Sequence, residues 1–152
     1  MIGGQVAVSS VATHAALHRR HEPIGFRGLV WLGSLLVAGS SVLHFFLWLN
    51  YGYRNIPTIS PLFLMQAAVG VVLALWTSAS RHWLLVLAEA LFVLSSLGGL
   101  IISINVSLFN WQETLDGPWV WLALLIELLA GALLLAAAGL SWRLRRRGPS
   151  AI

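Results

Sequence analysis

The chain contains no cysteine, which excludes disulfides, thiol redox chemistry, iron–sulfur clusters and cysteine-ligated zinc. It also contains no lysine, so all nine of its basic residues are arginines, a pattern consistent with GC-rich coding. Charge of either sign is scarce. Only 9% of the 152 residues are charged, whereas soluble domains average about 25%. What fills the space is apolar: 59% of the residues are hydrophobic and the mean hydropathy is +0.86. These figures together predict a membrane protein.

The high isoelectric point does not point to nucleic acid. Arg143, Arg145, Arg146 and Arg147 cluster just after the last apolar run, and Arg19, Arg20 and Arg27 precede the first. No nucleic-acid recognition module accompanies them. Arginines placed this way flank membrane spans, where the C-terminal cluster can also contact anionic lipid head groups.

A membrane helix needs about 20 mostly apolar residues. Four segments qualify, at about 28–50, 61–80, 83–108 and 118–141, separated by Gly52, Pro57 and Pro61, by a short Ser80-Arg81-His82 turn, and by Asn110 to Pro118. The expected fold is therefore an all-α, four-helix transmembrane bundle over 28–141. A flexible N-terminal tail (1–27) precedes it and a basic C-terminal tail (142–152) follows it. Charge sets the orientation. With both termini cytoplasmic, eight arginines lie inside and only Arg54 lies outside, as the positive-inside rule requires. The eight tryptophans agree, since Trp31, Trp76, Trp83 and Trp142 fall at the inner ends of spans and Trp48, Trp111, Trp119 and Trp121 at the outer ends. In the N-terminal tail, the arginines follow a weakly apolar stretch instead of preceding it, unlike a secretory signal. Its three histidines, His14, His18 and His21, have no fixed geometry from which to build a metal site.

Each span holds one strongly polar residue: His44, Gln66, Glu89 and Glu127. Polar groups in hydrocarbon are costly, usually face the bundle interior, and mark functional sites by default. The spacing supports an inward direction. Gly33, Ser40, Ser41 and His44 share one helical face, as do Gln66, Gly70, Ala74 and Thr77. The third and fourth spans repeat the pattern with Glu89, Ser96, Gly99 and Ser103, and with Ala123, Glu127, Gly131 and Ala138. At ~1.5 Å per residue, His44 and Gln66 lie roughly 8 Å below the outer surface, Glu127 about 14 Å and Glu89 about 20 Å. The equal depth predicts contact between His44 and Gln66, with the two glutamates continuing a polar line inward.

Two interpretations compete for these four residues. They could form a ligand, quinone or proton-handling site, because imidazole titrates near neutral pH. They could equally be interhelical hydrogen bonds worth ~0.6–2 kcal/mol each. No catalytic set appears. A bis-histidine haem lacks its second deep imidazole, and a zinc site lacks three ligands at one depth. Ser40 and Ser41 sit where membrane serines bond backbone carbonyls, and no phosphate loop or nucleotide fingerprint is present. No cofactor or metal is expected, although aromatics around the outer loop leave room for a quinone or lipid. In the outer loops Arg54 is expected to bridge Glu113 or Asp116.

The stretch "HFFLW" followed by "YRNIPTISPLFLMQ" resembles a signature of small four-span membrane proteins of actinobacteria and other GC-rich bacteria. The residues that carry it are His44, Trp48, Tyr53-Arg54, Ile56-Pro57-Thr58-Ile59 and Leu62-Phe63-Leu64. The likeness covers the first two spans by motif and the last two by layout. It implies a fold and a bacterial cytoplasmic (inner) membrane, and it carries no activity with it. DoxX-like four-helix proteins share the span count without a matching motif. Two functions are therefore expected in competition. One is a non-enzymatic accessory or assembly partner that contacts other membrane subunits or its own copies. The other is a ligand-, quinone- or proton-handling protein built on His44, Gln66, Glu89 and Glu127.

Overall fold

The computed structural model describes residues 24–146. The expectations for the N-terminal histidines, Arg19, Arg20, Arg147 and the last residues fall outside the described residues. Four helices cover most of the rest: α1 (Ile24–Asn50), α2 (Ile59–Ser80), α3 (Trp83–Asn105) and α4 (Pro118–Arg146). All four are long and apolar enough to cross a membrane. Even the shortest, α2 with 22 residues, reaches about 33 Å at 1.5 Å per residue, slightly more than the hydrocarbon core. The helices run up and down. Residues 51–58 and 106–117 form the connections at one end, here called the loop end. The turn at 81–82 lies at the other, here called the terminal end.

Local chemistry explains the boundaries. Pro118 opens α4, where its missing N–H would have no helical partner in any case. Arg81 closes α2 in the left-handed conformation (φ 51°), its N–H bonded to the Thr77 carbonyl at 2.8 Å. The third helix stops at Asn105 instead of 108, because Val106 is extended and Leu108 pairs with Trp111 through two backbone hydrogen bonds of 2.7 and 2.9 Å. Phe109 and Asn110 form the tip of that hairpin, both with positive φ as a primed two-residue turn demands. The first helix begins at Ile24, four residues earlier than expected. The last continues through Arg143, Arg145 and Arg146, so these cations form its final turn. Arginine is a good helix former, and positive charge favours a helix C-terminus. Two of the guanidiniums also lie over indoles, Arg145 over Trp83 at 5.4 Å and Arg146 over Trp142 at 4.6 Å.

The helices do not pack evenly. Helix α1 packs broadly on both α2 and α4, and α3 packs on α4, while α2 and α3 meet much less. Small residues make the close seams. A methyl added to Gly33 would strike Leu134, one at Gly70 would strike Ser41, and one at Gly131 would strike Leu94. Gly98 and Gly99 of α3, by contrast, face open space. The dry core, which includes Val37, Ala74, Val86, Val93, Ala130 and Leu134, fills the terminal half. In the loop half the α2–α3 seam opens.

Candidate functional site

The opening of that seam forms a cavity of about 310 Å³ in the loop half of the bundle. His44, Phe63, Gln66, Ser96, Gly99 and Trp111 are among the residues that line it. Leu62, Met65 and Ser95 also border it and are exposed, so the cavity opens sideways between α2 and α3. Its size falls within the range of small-molecule pockets.

Behind the cavity wall lies a carboxyl network. Glu127 of α4 is fully buried at 0% exposure. Its Oε1 accepts hydrogen bonds from Ser40 Oγ of α1 at 3.0 Å and from Ser96 Oγ of α3 at 2.8 Å. One oxygen thus ties three helices together. His44 Nε2 stands 3.8 Å from the same oxygen, within ion-pair range and beyond hydrogen-bond range. The other ring nitrogen, Nδ1, lies 2.9 Å from the Ser40 backbone carbonyl. A carbonyl has no proton to give, so Nδ1 is the donor, and in the neutral ring Nε2 is left as an acceptor. Glu127 Oε2 and Gln66 Nε2 are both buried without a hydrogen-bond partner.

The cavity is capped at the loop end. Tyr53 donates its hydroxyl to Glu113 Oε2 at 2.7 Å, and Trp111 Nε1 approaches the same oxygen at 3.4 Å. The Glu113 N–H is anchored to the Ser103 carbonyl at 3.0 Å and to the Ser103 hydroxyl at 3.2 Å. Burial, followed by the Glu113 carboxylate it bonds, pushes the Tyr53 hydroxyl well above the ordinary tyrosine range. Phe63 stacks on Tyr53 with centroids 4.4 Å apart and tilts against His44 at 5.0 Å, so an aromatic column runs from the cap to the imidazole.

Three expectations need correction. The outer acid Glu113 pairs with Tyr53 and not with Arg54, which is exposed, as is Asp116. An exposed arginine gains little from a bridge in water, whereas a half-buried phenol gains a partner it needs. Next, His44 approaches Glu127 more closely than its axial depth predicts, and it makes no hydrogen bond to Gln66. Side chains on a helix lean toward its N-terminus. His44 on α1 leans away from the loop end and Glu127 on α4 leans toward it, which closes their offset. Gln66 on α2 leans toward the loop end, away from His44. Finally, Glu89 on α3 leans toward the terminal end, so the expected polar line is broken.

Glu89 sits apart in the dry half. It is fully buried, accepts a hydrogen bond from Ser34 Oγ at 2.9 Å, and faces Thr77 without closing a hydrogen bond of good geometry. From Ser34 to Ser40 the axial rise is ~9 Å, and from Glu89 to Ser96 it is ~10 Å. Val37, Val93 and Ala130 fill that interval, each with no solvent exposure. The small-residue faces are as expected on α2, where Gln66, Gly70, Ala74 and Thr77 are all buried. On α3, Ser96 and Gly99 are only half-buried, because they border the cavity. Sequence reasoning did not pair Ser34, Ser40 or Ser96 with the glutamates. The available signal was a hydroxyl at matching depth on the neighbouring helix.

Comparisons with protein-family models, with curated proteins and with solved structures gave no match to this chain.

Proposed function

We propose that this chain is a non-enzymatic membrane protein that takes the polar head of a lipid-soluble small molecule into the cavity between α2 and α3. The observation that carries this reading is the cavity wall itself. It brings the polar residues His44, Gln66 and Ser96 to the wall of a space of about 310 Å³ that opens sideways toward the apolar surface. The competing role of assembly partner would be favoured by glutamates directed outward, and both Glu89 and Glu127 are buried instead. The arginine distribution supports a loop end facing outward and termini in the cytoplasm. The resemblance of the first two spans to small actinobacterial proteins supports a bacterial inner membrane.

The test uses Gly99, which lines the cavity and has open space beside it. The full chain and Gly99→Leu are purified in mild detergent, and their bound molecules are compared by mass spectrometry. A discrete lipid-soluble molecule retained by the wild type and lost from Gly99→Leu is the expected result. Identical bulk phospholipid on both proteins overturns the proposal.

A further inference from the structure

The cavity wall carries one carboxylate, the half-buried Glu113, and no arginine. Tyr53 and Trp111 reach its Oε2 at 2.7 and 3.4 Å, and the Thr114 N–H reaches its Oε1 at 3.2 Å. These donors are neutral, so they fix the carboxylate without cancelling its charge. No cation among the described residues pairs with it, and the exposed Arg54 does not line the cavity. The basic side chain that does line it, His44, faces Glu127 Oε1 instead. The remaining polar groups lean the same way. Ser95 and Ser96 spend their hydroxyl protons on the Phe92 carbonyl and on Glu127 Oε1, so both oxygens are left as acceptors. His44 Nε2 is an acceptor as well, because Nδ1 donates to the Ser40 carbonyl. The Gln66 amide nitrogen is closed off from the space. The donors still unspent, the Ser103 hydroxyl and the Trp119 N–H, are neutral.

A negative head group would face an acid here and meet no cation, whereas a positive one supplies the counter-charge that Glu113 lacks. Aromatic rings attract ammonium ions over their faces, and Tyr53, Phe63, Trp111 and Trp119 all border the space. Glu113 belongs to the cap at the loop end, where the helices stop, so a charged head need not travel to the middle of the apolar layer. We propose that the cavity takes an amphiphilic ammonium ion, its head against the Glu113 carboxylate beneath the cap and its apolar body filling the space toward the α2–α3 opening. This inference rests on the ligand-binding function proposed above and adds the charge of the ligand.

The experiment is titration calorimetry of the full chain in a non-ionic detergent at neutral pH. The probes are the bridgehead amine, alcohol and carboxylate of adamantane, which share one compact apolar body and differ in head charge. The wild type is expected to bind the protonated amine about tenfold more tightly than the alcohol, the effect of one hydrogen bond to a charged group, and the carboxylate least. Glu113→Gln keeps the side-chain size and an acceptor for Tyr53. It brings the amine down to the affinity of the alcohol and leaves the alcohol within about twofold. Gly99→Leu fills the cavity and abolishes the amine signal, which separates binding from uptake by the micelle. Should Glu113→Gln fail to fold, the wild-type ranking and Gly99→Leu still decide. Alcohol or carboxylate binding as tight as that of the amine overturns the ammonium assignment and leaves a ligand cavity in place. An amine preference undiminished in Glu113→Gln, or amine binding that persists in Gly99→Leu, overturns it as well. Failure of all three probes counts against both this inference and the ligand-binding function.

Discussion

Ser40→Ala and Ser96→Ala remove the two donors to Glu127 Oε1, one from α1 and one from α3. Hydrogen bonds between membrane helices average about 0.6 kcal/mol and reach about 1.7. Either single change leaves the carboxyl one donor, so each is expected to cost about 1 kcal/mol. The double change is worse than the sum. Glu127 Oε2 already has no partner, so a fully buried carboxyl would be left with neither oxygen satisfied, a penalty of ~1–3 kcal/mol. The double variant should therefore lose about 3 kcal/mol, giving a coupling near 1 kcal/mol. Reversible unfolding in mixed micelles, followed by circular dichroism, measures these differences. In a Glu127→Leu background the Ser40→Ala cost should fall below about 0.5 kcal/mol, because the acceptor is gone. If Ser40→Ala costs as much there as in the wild type, the carboxyl is not what the serine stabilises. The alternative partner is then His44 Nδ1, 3.4 Å from the same hydroxyl.

Gly70→Ala is expected to destabilise the bundle by ~1–3 kcal/mol through collision with Ser41, whereas Gly98→Ala, which meets open space, should stay within about 0.5 kcal/mol by the same unfolding assay. Tyr53 should ionise at higher pH than an ordinary tyrosine, so its phenolate absorbance, read as wild type minus Tyr53→Phe, should rise only above the usual range near pH 10. Because its folded-state value is raised, its contribution to stability is whole below about pH 10 and falls as pH rises beyond. Glu89→Gln should leave retention of the bound molecule unchanged, since Glu89 does not line the cavity, while Gly99→Leu should abolish it; mass spectrometry of the molecules that co-purify with each variant checks both.

Span number and the inward direction of the four polar residues were legible because both depend on periodicity along one helix. A stripe such as Gln66, Gly70, Ala74 and Thr77 states which face is buried without reference to any other helix. The site was not legible, because it depends on which helix arrives opposite. The stripe on α3 continues through Ser96 and Gly99 with the same small-residue spacing, yet there the neighbouring helix diverges and a cavity takes its place. Depth counted along Cα positions also omits side-chain lean, which alternates in sign between antiparallel helices and is as large as the offsets being compared. The Tyr53–Glu113 cap lay further out of reach. It joins residues 60 positions apart on two irregular loops, one of them shaped by positive φ at Phe109 and Asn110 that apolar patterning does not encode.

The break between the two buried carboxyls bears directly on mechanism. A chain that passed protons from one face to the other would need titratable groups or water within hydrogen-bond reach along the whole path. Here Val37, Val93 and Ala130 close the interval between the Glu127 network and Glu89 with apolar side chains that have no solvent exposure. Gly131 brings α4 within contact of Leu94 in the same interval, so the seam there is tight. The cavity consequently opens through the α2–α3 gap beneath its Tyr53–Glu113 cap, and a dry layer separates it from the terminal end. A site of that shape favours capture of a molecule from the apolar phase on one side. Glu89, bonded to Ser34 within a closely packed core, then serves to join α1 to α3, and only the residues above the dry layer are placed to meet a ligand.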